Sequence, residues 1–225
     1  MAIRPVFTVN NNPPHYNEVN VEFKYSTGFA ISQKRKSVNS LHEAFLQYHP
    51  DYKVLEVSTS SELQLGMLLS AFNLRRTIDG KSYSVEALFQ ASKVFENGGP
   101  YEDLLNRPNY EIKKDTRLKD SGYLTGFRCF GEEFPLEPKT FFYDWLYINA
   151  LKENPRISNQ LMEFNAFTDI AFNPTKSINC QARTCAIFVS LNKAGVLEEA
   201  LKNKDNFVSI VYGGAPVKYE QESLF

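Results

Sequence analysis

The apolar residues between Ser82 and Gly99 recur at the spacing of one buried helix face. In this stretch, SYSVEALFQASKVFENGG, the face is formed by Val85, Leu88, Phe89 and Phe95, with the small Ser92 among them. At about 100° per residue, Glu86, Gln90 and Lys93 fall within about 60° of one another on a second, polar face. The sequence therefore predicts a helix with these three residues in one stripe, which lies either in bulk water or against a pocket.

Two short segments in the first third of the chain have the alternation and composition of β-strands. They are VNVEFKYSTGF, residues 19–29, and KVLEVST, residues 53–59, and we expect them to pair in a small sheet. The segment between them, QKRKSVNSLHEAFLQYHPD, begins with a basic run that contains Lys34 and Lys36. We predict a basic loop here, followed by a short helix that Pro50 ends.

After the first third, a hairpin is predicted, and the second half of the chain is predicted to be mainly helical. Asp79-Gly80, in RRTIDGKSY, is a turn dipeptide between two extended segments and predicts a hairpin. Helices are predicted for residues 140–154, for residues 156–164 after Pro155 and, in two or three pieces, for residues 180–212. Residues 165–181 have no helical period and contain Asn-Pro, so they are predicted as a long loop.

These elements together predict an α+β fold dominated by helices, with a small sheet from the N-terminal third. No repeat, low-complexity segment or linker divides the sequence. With 225 residues, of which 43% are hydrophobic, the chain is long enough to bury one full core. We therefore expect a single domain over residues 1–225.

The charge balance excludes a global attraction to nucleic acids. The 25 basic and 26 acidic residues leave a formal net charge of -1, so binding to DNA requires a local basic patch. The run around Lys34 and Lys36 is one such patch, although this composition is also typical of an exposed, solvated loop.

The cysteines and histidines indicate neither a disulfide framework nor a metal site. The three cysteines are odd in number and lack CxxC spacing, and the three histidines lack the spacing of HExxH. The N-terminal residues do not have the pattern of a signal peptide, and no apolar run is long enough to span a bilayer. We expect reduced cysteines, no bound metal, no membrane partner and a cytoplasmic location.

The candidate functional residues each have a purely structural interpretation as well. The stripe of Glu86, Gln90 and Lys93 is also explained by a solvated helix face. Asp169, Asn179 and Gln181 lie in the predicted long loop, where side chains of this kind commonly form turns. The residue pattern alone decides neither case.

The segment LLSAFNLRRTIDGKSYSVEALFQASKVF, residues 68–95, resembles the signature of the NADAR domain, the YbiA-like family. That signature consists of an SNF element, a short hairpin and a helix of the form S-V-E-H-x-F-Q-A-x-K. The residues that fit it in order are Ser70, Phe72, Tyr83, Ser84, Val85, Glu86, Phe89, Gln90, Ala91 and Lys93. The sequence departs from it at Ala71, where the family usually has Asn, and at Ala87, where it has His.

Two later segments extend the resemblance over much of the chain. YDWLYINALKENPRISNQL is similar to the family helix V-M-x-x-A-L-x-x-K-F-x-Q-N-P-x-L. AFTDIAFNPTKSINCQA lies in the place of a glycine-rich family segment, of which only Asn179 fits clearly. An insertion around residues 24–60 carries the basic run. Within the family, the chain most resembles the NADAR antitoxins of DarT-type toxins, which ADP-ribosylate guanine in DNA.

This resemblance implies a YbiA-like fold and an N-glycosidase that uses no cofactor. Family members cleave bonds between a ribose carbon and an exocyclic amine of a heterocycle, and the antitoxin branch removes ADP-ribose from guanine. An acid that protonates the ring oxygen opens such a sugar to an imine, and a lysine amine can then displace the base. Glu86 fits the acid and Lys93 the amine.

The resemblance and the residue types suggest further roles. Asp169 is the candidate for binding the ribose hydroxyls or positioning water, and Asn179 and Gln181 either read the base edge or hold the loop. Lys34 and Lys36 suit the pyrophosphate or the DNA backbone, and they are rival imine-forming lysines.

Three more residues are candidates for substrate contacts, namely Phe72, Gln90 and Trp145. Phe72 and Trp145 can stack on a purine, although Trp145 fits a core position equally well. The expected partners are ADP-ribose, DNA whose modified guanine is single-stranded or flipped out, and the cognate toxin.

Two other functions remain open from the sequence. One is a non-catalytic antitoxin that occludes its partner and only holds ADP-ribose. The other is an N-glycosidase that acts on a free intermediate of the riboflavin pathway, against which the basic insertion argues. Glu86 distinguishes a binding module from an enzyme, because only the enzyme depends on its proton.

Overall fold

Helices and short strands alternate along the chain and form the α+β fold expected from the sequence. The structure is a computed structural model that describes residues 1–214, so residues 215–225 of the predicted domain lie outside the described part. The strands are β1 (Ala2–Val9), β2 (Tyr16–Phe23), β3 (Val54–Glu56), β4 (Arg75–Ile78), β5 (Lys81–Ser84), β6 (Lys93–Phe95), β7 (Leu124–Cys129), β8 (Glu132–Phe134) and β9 (Ala166–Thr168).

The helices are distributed over the whole described chain. They are α1 (Ile31–Leu46), α2 (Gln64–Leu68), α3 (Val85–Ala91), α4 (Asn109–Ile112), α5 (Arg117–Asp120), α6 (Phe141–Glu153), α7 (Pro155–Leu161), α8 (Gln181–Lys193), α9 (Leu197–Ala200) and α10 (Lys204–Tyr212), with a 3-10 helix at Glu102–Asn106. None of these helices, all within residues 1–214, has both the length and the apolar character needed to cross a bilayer.

The largest sheet joins strands that are far apart in the sequence. Its order is β2-β1-β9-β3, with β1 antiparallel to both β2 and β9, and β9 parallel to β3. The predicted pairing of residues 19–29 with residues 53–59 is wrong, because β1 and β9 lie between these strands. Strand β9 belongs to the segment predicted as a loop, and its three residues are too few for an alternating pattern to be recognised.

Helix α1 packs against strand β2 and includes the basic run. Its buried residues are Ser37, Val38, Leu41 and Phe45, which have the spacing of one helix face. The prediction of a loop around Lys34 and Lys36 is therefore wrong. No side chain caps the first turn of α1, so the signal that usually marks a helix start is absent from the sequence.

Helix α3 ends at Ala91, two residues before Lys93. Lys93 is the first residue of β6, which pairs antiparallel with β7 and places Lys93 opposite Phe127. The Ser92 carbonyl also accepts a hydrogen bond from the Arg128 amide at 2.7 Å. These bonds to β7 replace the helical ones, and the prediction that Lys93 continues the helix is therefore wrong.

The main core lies around helices α6 and α8, and α3 packs against α6. The Asp79-Gly80 turn joins β4 to β5, and Pro155 separates α6 from α7, as the sequence predicts. Within the described residues, Cys129, Cys180 and Cys185 are buried and form no disulfide bond.

A buried carboxyl group joins the ends of the parallel strands β3 and β9. Glu56, the last residue of β3, is 3% exposed. Its carboxyl oxygens accept hydrogen bonds from the Ser58 and Thr168 hydroxyls, both at 2.6 Å, and from the Ile170 amide at 2.9 Å. His42 of α1 lies 2.8 Å from the Thr168 hydroxyl, so the same network connects α1 to this edge of the sheet.

This network makes the stability of the protein depend on pH. Burial, and next the nearby Asp169 carboxyl, raise the pKa of Glu56 from 4.5 to about 8. Because the folded protein holds this proton more tightly than the unfolded chain, the free energy of unfolding falls as the pH rises from about 4.5 to about 8. In urea unfolding, the Glu56 proton should make the free energy of unfolding of the wild type fall by up to about 1.4 kcal/mol per pH unit over this window. Glu56→Gln lacks this contribution, so we expect its free energy of unfolding to fall less steeply.

The exposed Glu163, changed to Gln, is the matched control for this experiment and should keep the wild-type pH dependence. If Glu56→Gln and the wild type fall in parallel between these pH values, Glu56 does not hold a proton in the folded protein.

Candidate active site

A cavity of about 270 Å³ lies between α3, α6 and the segment that follows β9, and we call it the inner cavity. Two carboxyl groups line it, those of Glu86 and Asp169. The other side chains in its wall include the aromatic residues Phe72, Phe89, Tyr143 and Phe172 and the polar residues Gln90, Lys113, Asn179 and Gln181. The inner cavity thus brings together most of the site residues proposed from the sequence.

Glu86 is held at the start of α3 by backbone and side-chain hydrogen bonds. Ser84 caps the helix, and the Glu86 amide donates to the Ala71 carbonyl at 2.9 Å. The side chain is nearly buried, with the residue 7% exposed. Its Oε1 accepts a hydrogen bond from Gln90 Nε2 at 3.1 Å and lies 3.3 Å from Lys113 Nζ.

Lys113 is a cavity residue that the sequence analysis missed. Its Nζ contacts Glu86 and lies 4.5 Å from the centroid of the Phe72 ring. Asn109, the first residue of α4, donates to the Phe72 carbonyl at 3.0 Å and accepts from the Ser84 hydroxyl at 2.8 Å. These bonds fix α4 against the start of α3 and so place Lys113 beside Glu86. No motif spacing connects the two residues, so this pair was not predictable from the sequence.

Asp169 lies directly after β9 and is half-buried in the wall of the inner cavity. Its Oδ1 accepts a hydrogen bond from the Ala171 amide at 3.0 Å. Burial raises the pKa of Asp169 to about 6, although hydrogen bonds from the amides of Ala171 and Phe172 oppose this shift. A carboxyl group with such a pKa can gain or lose a proton near neutral pH, as a general acid or base must.

Gln181 and Asn179 have different surroundings. Gln181 accepts a hydrogen bond from the Ala71 amide at 2.9 Å and donates another to the Val57 carbonyl, so its amide group joins α8 to two neighbouring segments. This arrangement favours the role of holding the loop. Asn179 Oδ1 is buried and has no hydrogen-bond partner within residues 1–214, which leaves one acceptor for a ligand.

The two departures from the family pattern lie in different surroundings. Ala71 lines the inner cavity. Ala87 packs instead in a separate apolar cluster with Ala91, Leu104 and Ile112. The departure at Ala87 therefore affects helix packing, whereas the one at Ala71 leaves the cavity wall without an amide side chain.

A second cavity of about 720 Å³ adjoins the inner cavity, and we call it the outer cleft. The two share the wall residues Phe89, Gln90, Ser177 and Asn179. Lys93 lines the outer cleft, with its Nζ 5.0 Å from the centroid of the Phe89 ring. Glu86 and Lys93 therefore belong to adjoining cavities rather than to one helical stripe.

The environment of Lys93 favours the neutral amine. Burial lowers the pKa of Lys93, the Glu86 carboxylate opposes this shift, and the Lys113 ammonium adds to it. A lower pKa increases the fraction of the amine without its proton, which is the form that attacks carbon. Lys113, by contrast, pairs directly with a carboxylate, and its side chain is 51% exposed.

Three of the predicted residues line neither cavity. Lys34 and Lys36 lie on α1. Trp145 packs against the main core, edge-to-face on Phe207 with ring centroids 5.3 Å apart. Trp145 therefore occupies the core position that was the alternative to base stacking.

The inner cavity and the outer cleft together present two carboxyl groups, an amine with a lowered pKa and several aromatic rings. Carboxyl groups are the usual acids and bases in the cleavage of glycosidic bonds. Aromatic rings bind flat heterocycles through their faces and edges. The arrangement is suited to breaking a bond between a sugar and a heterocyclic base.

Comparison with known proteins assigns the chain to a family. No curated protein matches it. A family model described as the DarT1-associated NADAR antitoxin matches residues 2–221, essentially the whole chain. The matched range includes the segment around residues 24–60, so the basic insertion lies within the matched family region. The chain therefore belongs to the family of DarT1-associated NADAR antitoxins.

Proposed function

We propose that this protein is a hydrolase that removes ADP-ribose from guanine bases of DNA. The family gives it the role of an antitoxin in a DarT1 system, and the proposed activity reverses the damage that such a toxin causes. The observation that carries the proposal is the pair of carboxyl groups, Glu86 and Asp169, in one aromatic-lined cavity next to the partly desolvated Lys93. The protein acts on DNA in the cytoplasm and uses no cofactor.

The proposed reaction begins with opening of the ribose ring. Glu86, in the fraction of the protein in which its carboxyl group is protonated, donates this proton to the ring oxygen. The bond from this oxygen to the anomeric carbon breaks, and an imine forms between that carbon and the exocyclic nitrogen of guanine. The neutral Lys93 amine then adds to the same carbon, and a proton passes from the lysine nitrogen to the guanine nitrogen. The bond from the carbon to the guanine nitrogen breaks, so guanine leaves as an amine and a lysine imine remains. Water, positioned by Asp169, finally hydrolyses the lysine imine and frees ADP-ribose.

The walls of the inner cavity support the placement of the guanine base. A volume of about 270 Å³ accommodates a single purine, and the rings of Phe72, Phe89 and Tyr143 provide apolar contacts for it. The base has to be single-stranded or flipped out to enter such a cavity. Glu86 in the inner cavity and Lys93 in the outer cleft then lie on either side of the shared wall, where the sugar carbon is expected.

Replacing Glu86 by Gln tests the catalytic role of its proton. We expect Glu86→Gln to release ADP-ribose from modified single-stranded DNA about 100- to 10,000-fold more slowly, because an amide does not supply the proton that opens the ring. Calorimetry should show that its affinity for ADP-ribose changes only by a small factor. The exposed Glu163, changed to Gln, is the control and should keep full activity.

Full activity in Glu86→Gln would remove Glu86 from the mechanism. Absence of ADP-ribose release by the wild type, together with binding of ADP-ribose, would instead identify a non-catalytic antitoxin. Cleavage of a free ribosylamine intermediate of the riboflavin pathway, without action on DNA, would indicate the metabolic alternative.

Capture of the imine tests which lysine reacts. A borohydride reductant added during turnover should leave an ADP-ribose adduct on the peptide that contains Lys93, detectable by mass spectrometry. Lys93→Arg should form no adduct and should be inactive, because arginine keeps the charge but does not act as an amine nucleophile. Lys113→Arg is the matched variant, and it should still form the adduct at Lys93.

An adduct on Lys113 would transfer the nucleophilic role to the lysine that contacts Glu86. An adduct on Lys34 or Lys36 would require the basic part of α1 to reach the substrate. An active Lys93→Arg would reduce Lys93 to an electrostatic role.

A further inference from the structure

The outer cleft is lined by more positive than negative charge. Lys139 and Lys176 contribute ammonium groups, Lys93 contributes the amine whose pKa is lowered by burial, and Glu137 contributes one carboxylate. None of the three lysines is within ion-pair distance of a carboxylate in the part of the chain that the structure describes, unlike Lys113, Lys152, Lys202 and Lys204. Lysines that gather in a cleft without carboxylate partners are suited to an anionic ligand.

One wall of the outer cleft is apolar. Leu124 and Phe127 of β7 and the nearby Leu136 lie in the same lining as the lysines. A flat aromatic base can pack against such a wall while a charged group attached to it reaches the lysines. The cleft therefore fits a ligand that has both a phosphate group and a heterocyclic ring.

The boundary with the inner cavity carries a polar group that lacks a partner. Asn179 lines both cavities, and its buried Oδ1 accepts no hydrogen bond within residues 1–214. A ribose hydroxyl located between the two cavities would supply the missing donor. This position connects a sugar at the shared wall to a larger group in the outer cleft.

The volumes of the inner cavity and the outer cleft limit which part of a large substrate each of them can hold. The inner cavity, at about 270 Å³, is too small for a purine together with a second nucleotide, whereas about 720 Å³ is ample for one nucleotide. We propose that the outer cleft binds the nucleoside diphosphate end of the substrate. Lys139 and Lys176 contact the phosphates, and the base of this nucleoside diphosphate packs against the apolar wall. At the boundary between the cavities, Asn179 Oδ1 accepts a hydrogen bond from a hydroxyl of the ribose whose bond to guanine is cleaved.

This inference rests on the proposed function for the identity of the substrate, but binding alone tests it. Calorimetric titrations should use ADP, and separately an unmodified single-stranded oligodeoxynucleotide, with the wild type and the double variant Lys139→Gln/Lys176→Gln. We expect the double variant to bind ADP at least about tenfold more weakly, and with a smaller salt dependence, because two charge-assisted contacts are lost. Its affinity for the oligodeoxynucleotide should change by less than its affinity for ADP.

Lys81→Gln is the matched control, because Lys81 is an exposed lysine of β5 that lines neither cavity. It should bind ADP as the wild type does. The two lysines of the double variant are exposed, so thermal unfolding should confirm that it keeps its fold.

Three results would overturn the inference: no binding of ADP by the wild type, equal binding of ADP by the wild type and the double variant, or a loss confined to the oligodeoxynucleotide. The last result would assign the cleft to the DNA strand. These outcomes are separate from the proposed function, because no turnover is measured. A protein that binds ADP through these lysines but releases no ADP-ribose from DNA would support the inference and contradict the hydrolase.

Discussion

The pairing of β6 with β7 determines the geometry of the candidate site. Because Lys93 hydrogen-bonds in a sheet instead of continuing α3, the helix ends at Ala91 and the chain turns away from the helix axis. Glu86 lines the inner cavity and Lys93 lines the adjoining outer cleft, while Phe89 lines both. A continuous helix would place Glu86 and Lys93 on one surface, whereas in this arrangement they line adjoining cavities.

The second carboxyl group depends on a different part of the fold. Asp169 follows β9, and β9 is held beside β3 by the hydrogen bonds of Glu56 as well as by the strand ladder. Gln181 adds a connection from α8 to the segments before and after α2. The cavity therefore forms only when the sheet edge and the start of α3 are both in place, and the two carboxyl groups come from elements more than 80 residues apart.

The sequence predicted the parts of this arrangement that depend on local signals. The hairpin at Asp79-Gly80 and the break at Pro155 have strong turn and helix signals, and the helical period correctly indicated the start of α3. The family pattern identified Glu86 and Lys93 as candidates, although their shared helical stripe was wrong. Contacts that depend on tertiary structure were not predictable, because sheet pairing overrides a helical period and a three-residue strand has too little pattern to read.

The position of Lys113 was likewise not predictable from the sequence, because it depends on tertiary contacts. Its position beside Glu86 depends on Asn109, which bonds both to Ser84 and to the backbone of Phe72. None of these residues has a fixed spacing from the others that a sequence pattern would reveal. Trp145 had two interpretations from the sequence, base stacking and core packing, and its packing on Phe207 against the main core favours the second.

The fate of a modified oligodeoxynucleotide shows directly whether the protein removes ADP-ribose from guanine. The wild-type protein should be incubated with a single-stranded oligodeoxynucleotide that carries one ADP-ribosylated guanine, and the products weighed by mass spectrometry. If the protein hydrolyses the bond between the ribose and guanine, the oligodeoxynucleotide returns to its unmodified mass and intact ADP-ribose appears in equal amount. An oligodeoxynucleotide that keeps its modification, or one that loses the whole modified base and leaves an abasic site, would contradict this activity.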